Sequence, residues 1–301
     1  MKTTTVLSVL CRNTCAILFA YLLVWNISSQ ALASAEFKKV HYDNGNLRIV
    51  AYLYAPEGEG PFPAVIYNHG SRENPRRPAP FRYIGDMLSR NGYVVLIPER
   101  RGYGDSDGKT FEEEVGGDIG EKFVSRLKAE ATDVLAGIPY LETLSNVDKA
   151  RISVMGWSFG GIVTLFAASE TAFHAAIAQA PASLNWDSRP ELQKALKEAA
   201  RQLKSAVFIS VAENDQTTAV VDELNKVLDE KDRIVHLKRI YPPFVPHCGP
   251  PAKMAQGHAI YRQEGMRIWE RDVLSFLGDL SIGAVSTFGT SREPCLPSLE
   301  R

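Results

Sequence analysis

The sequence predicts an α/β fold: a mostly parallel sheet with an antiparallel N-terminal edge and helices on both faces. Three observations point there. Short apolar runs alternate with helix-length segments from residue 64 to residue 277, the pattern of strands joined by crossover helices. These strand runs are continuously apolar rather than alternating, as strands covered on both faces are. The chain before them instead alternates apolar and polar residues on either side of Asp43-Asn44-Gly45-Asn46, and an Asn-Gly between two such runs is a hairpin signal.

Taken in order, the hairpin strands are expected at 37–42 and 47–54, followed by a Pro/Gly loop over 56–63 and a strand at 64–67. Further strands are expected at 93–97, 152–155, 175–178, 206–211 and 234–240. Helices are expected at 81–91, 121–144, 161–169, 190–204, 218–230 and 259–277, with Gly and Pro at the joints. No internal repeat and no linker between two domains is evident.

The chain has 301 residues, 45% hydrophobic and 23% charged, enough to bury a sizeable core. Its formal charge is −1 and it has no Lys/Arg cluster, so nothing offers a nucleic-acid footprint. The first 35 residues read as a secretory signal. Lys2 and Arg12 flank the start, 16–25 is an unbroken apolar run, and Ala31-Leu32-Ala33-Ser34-Ala35 supplies small residues for cleavage after Ala35. Ten apolar residues are too few for a membrane span, which needs about 20. The expectation is therefore a secreted or periplasmic protein with no stable membrane insertion, an α/β domain over 36–280 and a C-terminal tail over 281–301. Of the four cysteines, Cys11 and Cys15 leave with the signal, and Cys248 and Cys295 remain as a candidate disulfide in an oxidising compartment.

In such a sheet, ligands bind beyond the carboxyl ends of the strands. The decisive stretch there is Gly156-Trp157-Ser158-Phe159-Gly160-Gly161, which follows one apolar run and opens another. A strand, a glycine-flanked serine and a helix make a nucleophile elbow, in which the serine is pushed out of the sheet toward the N–H groups that open the helix. A serine hydroxyl needs a base to take its proton, and the base needs an acid to orient it. Asp215, just past the strand at 206–211, is preferred as that acid to Glu213. Among six histidines, position leaves His247 and His258. His258, in Gly257-His258-Ala259 directly before the last helix, is the preferred base. The oxyanion needs two N–H donors. The backbone of Phe159 and that of Ser71, in the loop after the strand at 64–67, are the candidates.

For the substrate pocket, Trp157 either lines the cleft or packs beneath the elbow. Trp186, on the loop over 181–190, is expected to be exposed near the site and to bind an apolar or aromatic group. Phe111 and Glu112-Glu113-Glu114 lie on a Gly-rich segment over 104–120 that either arches over the site or is a solvated loop, and 241–246 offers a stiff apolar wall.

Tyr67-Asn68-His69-Gly70-Ser71, the run from Glu99 to Ser106 (ERRGYGDS), the elbow, Asp215 and Gly257-His258 together resemble the dienelactone hydrolase-like and prolyl-oligopeptidase-like branch of the α/β-hydrolase superfamily, over roughly residues 47–277. The order Ser158, Asp215, His258 is the order of that superfamily's triad. The resemblance implies an eight-stranded sheet, no metal or organic cofactor and an acyl-enzyme mechanism, and the substrate is expected to be a small-molecule ester. Dienelactone hydrolases usually carry cysteine as nucleophile, so serine here points to ordinary esters. The peptidase branch usually carries a large N-terminal propeller, which the short stretch before the first strand does not lead one to expect. A peptidase or amidase on the same triad, and an inactive fold used for binding, are the alternatives.

Overall fold

The alternation read from the sequence becomes one eight-stranded sheet, in the order β1-β2-β4-β3-β5-β6-β7-β8, where β1 is Phe37–Asn44, β2 Leu47–Tyr54, β3 Phe62–Asn68, β4 Val94–Glu99, β5 Val147–Trp157, β6 Ala175–Gln179, β7 Ala206–Ala212 and β8 His236–Tyr241. This is a computed structural model that describes residues 36–231, 234–247 and 254–279. The expected signal segment, the tail over 281–301, and Cys248 and Cys295 lie outside the described residues. Strand β1 pairs antiparallel with β2, and β2 antiparallel with β4; every later pairing is parallel. The hairpin thus supplies the antiparallel edge its Asn-Gly turn predicts, and the continuously apolar runs form the interior of the sheet.

Helices fill the crossovers: α1 Arg82–Arg90, α2 Phe111–Val115, α3 Glu121–Glu142, α4 Phe159–Glu170, α5 Pro190–Gln202, α6 Ala219–Asp229 and α7 Met266–Asp279. In α3 the buried Phe123, Val124, Leu127, Ala131, Val134 and Leu141 recur at helical spacing and give it one apolar face. Helix α4 is buried along its whole length from Gly160 to Ser169, as its all-round hydrophobic sequence demands. It lies against β3, β5 and β6, at the centre of the molecule. Helices α3, α4, α5 and α6 pack in series, each against the next, while Tyr83 of α1 reaches toward the chain before α7 by donating to Tyr261 O at 3.3 Å.

Two elements differ from expectation. The segment over 104–120 contains the short helix α2, started by a capping box in which the Thr110 hydroxyl accepts from Glu113 N–H while the Glu113 carboxylate accepts from Thr110 N–H. The acidic run therefore sits in the first turn of a helix, where the dipole favours it. The expected last helix begins late. Residues Gln256–Tyr261 and Gln263–Gly265 form two 3₁₀ turns, and the α-helix starts only at Met266. Trp269 donates from Nε1 to Ile260 O at 3.0 Å and ties the helix to the turn before it. Among the described residues, no helix is long and apolar enough to cross a membrane.

Candidate active site

Ser158 stands between β5 and α4 with φ 59° and ψ −120°, a backbone conformation that an L residue adopts only under constraint. The constraint is visible on both sides. Ser158 N–H donates to Gln179 O at 2.9 Å across the sheet, and Ser158 O accepts from Ile162 N–H at 3.1 Å in the new helix. The elbow also demands glycine: a Cβ on Gly160 would lie 1.9 Å from Asn68 O, and one on Gly156 would lie 2.4 Å from Gly160 O. The packing of α4 under β3 is therefore possible only where the sequence places its glycines.

The loop after β3 comes up beside the serine. A Cβ built on Gly70 would sit 3.2 Å from Ser158 Cβ, so the residue before Ser71 lies against the elbow. Among the described residues, no carbonyl or side chain accepts from Phe159 N–H or Ser71 N–H. Both sequence candidates for oxyanion donors are thus free. His69 holds the loop from inside: its ring stacks on Phe81 at 5.4 Å, meets Tyr103 edge-on at 4.6 Å, and its Nδ1 bonds Gly70 O at 2.7 Å. Burial, with Arg100 and Arg72 adding to it, holds this imidazole well below the usual histidine pKa, so it is neutral and Nδ1 carries the donated proton.

A buried ion network backs this side of the site. Arg100 donates from Nη2 to His69 O at 2.9 Å and from Nε to Glu130 at 2.7 Å. Arg126 donates to the other oxygen of Glu130 at 3.1 Å, and to Arg101 O and Lys109 O at 2.6 and 3.0 Å. Glu99, fully buried, accepts from Ala79 N–H, Asp105 N–H and Arg72. The resemblance quoted Glu99-Arg100-Arg101 as a motif. Its physical content is to clamp the loops over 69–80 and 101–110 by their backbones.

On the far side of Ser158, β7 ends in a tight turn. Asp215 N–H returns to Ala212 O at 3.1 Å, and the Asp215 carboxylate lies inward, with Oδ1 accepting from Gln216 N–H at 2.7 Å and Oδ2 bonded to His258 Nδ1 at 2.8 Å. Gly257 makes the approach possible, since a Cβ there would lie 2.4 Å from Asn214 Oδ1 and 2.5 Å from Asp215 N. His258 is fully buried, its ring 5.3 Å from that of Trp157, and its Nε2 is buried with no partner. No hydrogen bond joins Ser158 Oγ to another described residue; His258 packs against Trp157, the residue before the serine. Glu213 and His247, the less favoured sequence candidates, are both exposed.

A side chain that sequence reading missed shares the acid. Ser183 is fully buried on the loop after β6; its Oγ donates to Asp215 Oδ2 at 2.9 Å and lies 3.0 Å from His258 Nδ1. That loop is a strand-end loop and so a place to look, but no motif marks the residue. The same loop corrects an expectation. Trp186 is not exposed; it is 1% accessible, and its Nε1 donates to Glu223 at 3.0 Å, so it braces α5 against α6 rather than facing the cleft. The Trp157 Nε1 is buried without a partner, on the ring that packs against His258. The rim over 104–120 reaches the elbow through Phe111, whose ring is 5.2 Å from that of Phe159, with Phe123 completing the cluster.

The eight strands with their hairpin edge, the serine elbow after β5 and the bonded Asp215 and His258 after β7 and β8 decide the fold family. The chain has the α/β-hydrolase fold. The sequence model of the prolyl oligopeptidase family matches residues 80–204 of this chain. It is 28% identical over 143 residues to the quorum-quenching protein AidA of Acinetobacter baumannii, and 30% identical over 131 residues to a putative carboxymethylenebutenolidase of Synechocystis. Those matches take in 47% and 42% of this chain, and the chain spans 43% and 51% of the two relatives. Its structure superposes on an esterase of Pyrococcus furiosus with a TM-score of 0.58 at 20% identity, over 81% of this chain and 92% of the other.

Proposed function

We propose that the protein is a serine hydrolase that cleaves carboxylic esters through an acyl-enzyme on Ser158. One observation carries the proposal. The Asp215–His258 hydrogen bond engages Nδ1 and leaves a buried, unpartnered Nε2 on a ring packed against Trp157, the residue directly before a serine held at φ 59°. In this reading Nε2 takes the proton of Ser158 Oγ as the oxygen attacks the ester carbonyl. The carbonyl oxygen becomes an oxyanion and accepts from the N–H groups of Phe159 and Ser71. The imidazolium then gives its proton to the departing alkoxide, which leaves as alcohol. A water enters, loses a proton to Nε2 and attacks the acyl carbon; collapse of the second tetrahedral intermediate returns the proton to Ser158 and releases the acid.

The relative named as a carboxymethylenebutenolidase and the esterase of similar fold support ester cleavage. The prolyl oligopeptidase family match supports a second reading, an amidase or peptidase on the same residues. Parallel assays on short p-nitrophenyl esters and on peptidyl p-nitroanilides separate them: turnover of the esters alone is expected, and faster turnover of the anilides would move the assignment to the peptidase reading. Ser158→Ala is expected to lower ester hydrolysis by about 10⁶-fold, the loss typical of a missing nucleophile, and to abolish labelling by a fluorophosphonate. Undiminished turnover would refute the assignment of Ser158.

A further inference from the structure

The acid of this site has a second donor. Asp215 Oδ2 takes both the His258 Nδ1–H and the Ser183 hydroxyl, while Oδ1 is already engaged by Gln216 N–H. The Ser183 oxygen has other choices: Ala180 O lies at 3.4 Å and His258 Nδ1 at 3.0 Å. The shorter contact, to a carboxylate oxygen, is the stronger place for its single proton, and its lone pairs are then free to face Nδ1–H.

Ser183 is not itself placed as the nucleophile. It sits on the Nδ1 side of the imidazole, the side occupied by the carboxylate, and it is fully buried. The backbone that delivers it is constrained. Ala180 and Ala182 adopt φ 44° and 58°, the left-handed region that L residues avoid, and Ala180 N–H is pinned to Ser210 O at 2.7 Å. Strain of this kind is kept where surrounding structure insists on it, typically near a working site. Here two strained alanines bracket Pro181 directly before one serine, and turn its hydroxyl onto the acid.

We propose that Ser183 is a positioning residue: its hydroxyl fixes the Asp215 carboxylate and, from the side, the Nδ1 edge of His258, so that Nε2 is held toward Ser158. The inference rests on the reading of His258 as the base. It assigns Ser183 no contact with the substrate.

Two isosteric variants test it. Ser183→Thr keeps the hydroxyl and Ser183→Val replaces it with a methyl group; both add one methyl to the serine side chain, so the two variants differ only in the hydroxyl. With p-nitrophenyl ester as substrate, Val is expected to lose about 10- to 100-fold in kcat, the range of one hydrogen bond to a charged group, with KM changed less than about twofold since no substrate contact is removed. Thr is expected to keep most of the rate, and Ser183→Ala to follow Val. The downfield proton resonance of His258 Nδ1–H is expected to move in Val and Ala and to stay in Thr. Equal rates and equal resonances for Thr and Val would overturn the proposal, as would a loss confined to KM. The resonance is read without substrate. If the unaltered protein hydrolyses no ester and takes no fluorophosphonate, the hydrolase reading fails by itself, and the Thr/Val resonance comparison still decides the role of Ser183.

Discussion

The two sides of Ser158 are built from different materials. Toward β3 and β4, full charges reach backbone: Arg100 and Arg126, both 1% exposed or less, share Glu130 and end on the carbonyls of His69, Arg101, Lys109 and Thr110. Toward β7 and β8, one carboxylate meets an imidazole and a hydroxyl, and the geometry is set by a tight turn, a glycine and two strained alanines. On the proposed function, the contrast follows from what each side would do. N–H groups offered to an oxyanion must not move, and charge-assisted bonds to neighbouring carbonyls are the strongest available restraint. An imidazole that gains and loses a proton needs one stable counter-charge; further fixed charges around it would favour one of its two states. Charge rigidifies the first side, and neutral packing preserves the second.

Removing charge from the first side should break the contrast most visibly. Glu130→Gln leaves the Arg100 and Arg126 guanidiniums buried without their shared carboxylate. Taking one partner from a buried ion network costs about 3–5 kcal/mol, read as a lowered midpoint in urea denaturation. A loss below about 1 kcal/mol would mean that the carbonyl acceptors and, for Arg126, Glu114 compensate these cations, and that the network is not what stiffens the loop after β3.

A smaller effect on the same side is set by pH. His69 is held neutral by burial and by Arg100 and Arg72, so its folded pKa lies below the unfolded value of about 6.5. Below that pH the unfolded chain binds a proton that the folded chain refuses. The contribution of His69 is therefore complete above pH 6.5 and is lost as pH falls toward the folded pKa, with a limiting slope of about 1.4 kcal/mol per pH unit. His69→Gln is expected to remove this slope and flatten the stability profile on the acid side of 6.5. An unchanged slope would place the titrating group elsewhere.

The same division marks what the sequence made legible. Strand and helix order follow from hydrophobic pattern, and the elbow, Asp215 and His258 follow from glycine placement and strand ends, which are local signals. What was not legible depends on pairing at a distance. Arg100 and Glu130 are thirty residues apart with no periodic relation, and Ser183 reaches Asp215 only because β6 and β7 are neighbours in the sheet. Trp186 looked exposed because its loop is polar, yet its indole is held inward by Glu223 of α6, an acid 37 positions later. Helix α2 is the exception, a local signal overlooked: Thr110 and Glu113 spell a capping box that the glycines around it obscured.

The smallest expected effect sharpens the comparison furthest, because it separates stability from rate on the second side. Ala182 is 2% exposed and sits at φ 58°. Ala182→Gly relieves about 1–2 kcal/mol of left-handed strain. Against that, glycine gains about 0.5–1 kcal/mol of unfolded-state freedom, and the buried methyl is lost at about 0.8 kcal/mol. The opposing effects nearly cancel, so urea denaturation should find the variant within about 0.5 kcal/mol of the parent. The rate should not be spared. With φ no longer confined, the Ser183 hydroxyl samples positions away from Asp215 Oδ2, and kcat for ester hydrolysis is expected to fall by about threefold to fivefold, part of what the whole hydrogen bond is worth, while KM stays. A variant with unchanged stability and unchanged kcat would show that the strain at Ala182 has no part in aiming Ser183, and that the acid is held by its turn alone.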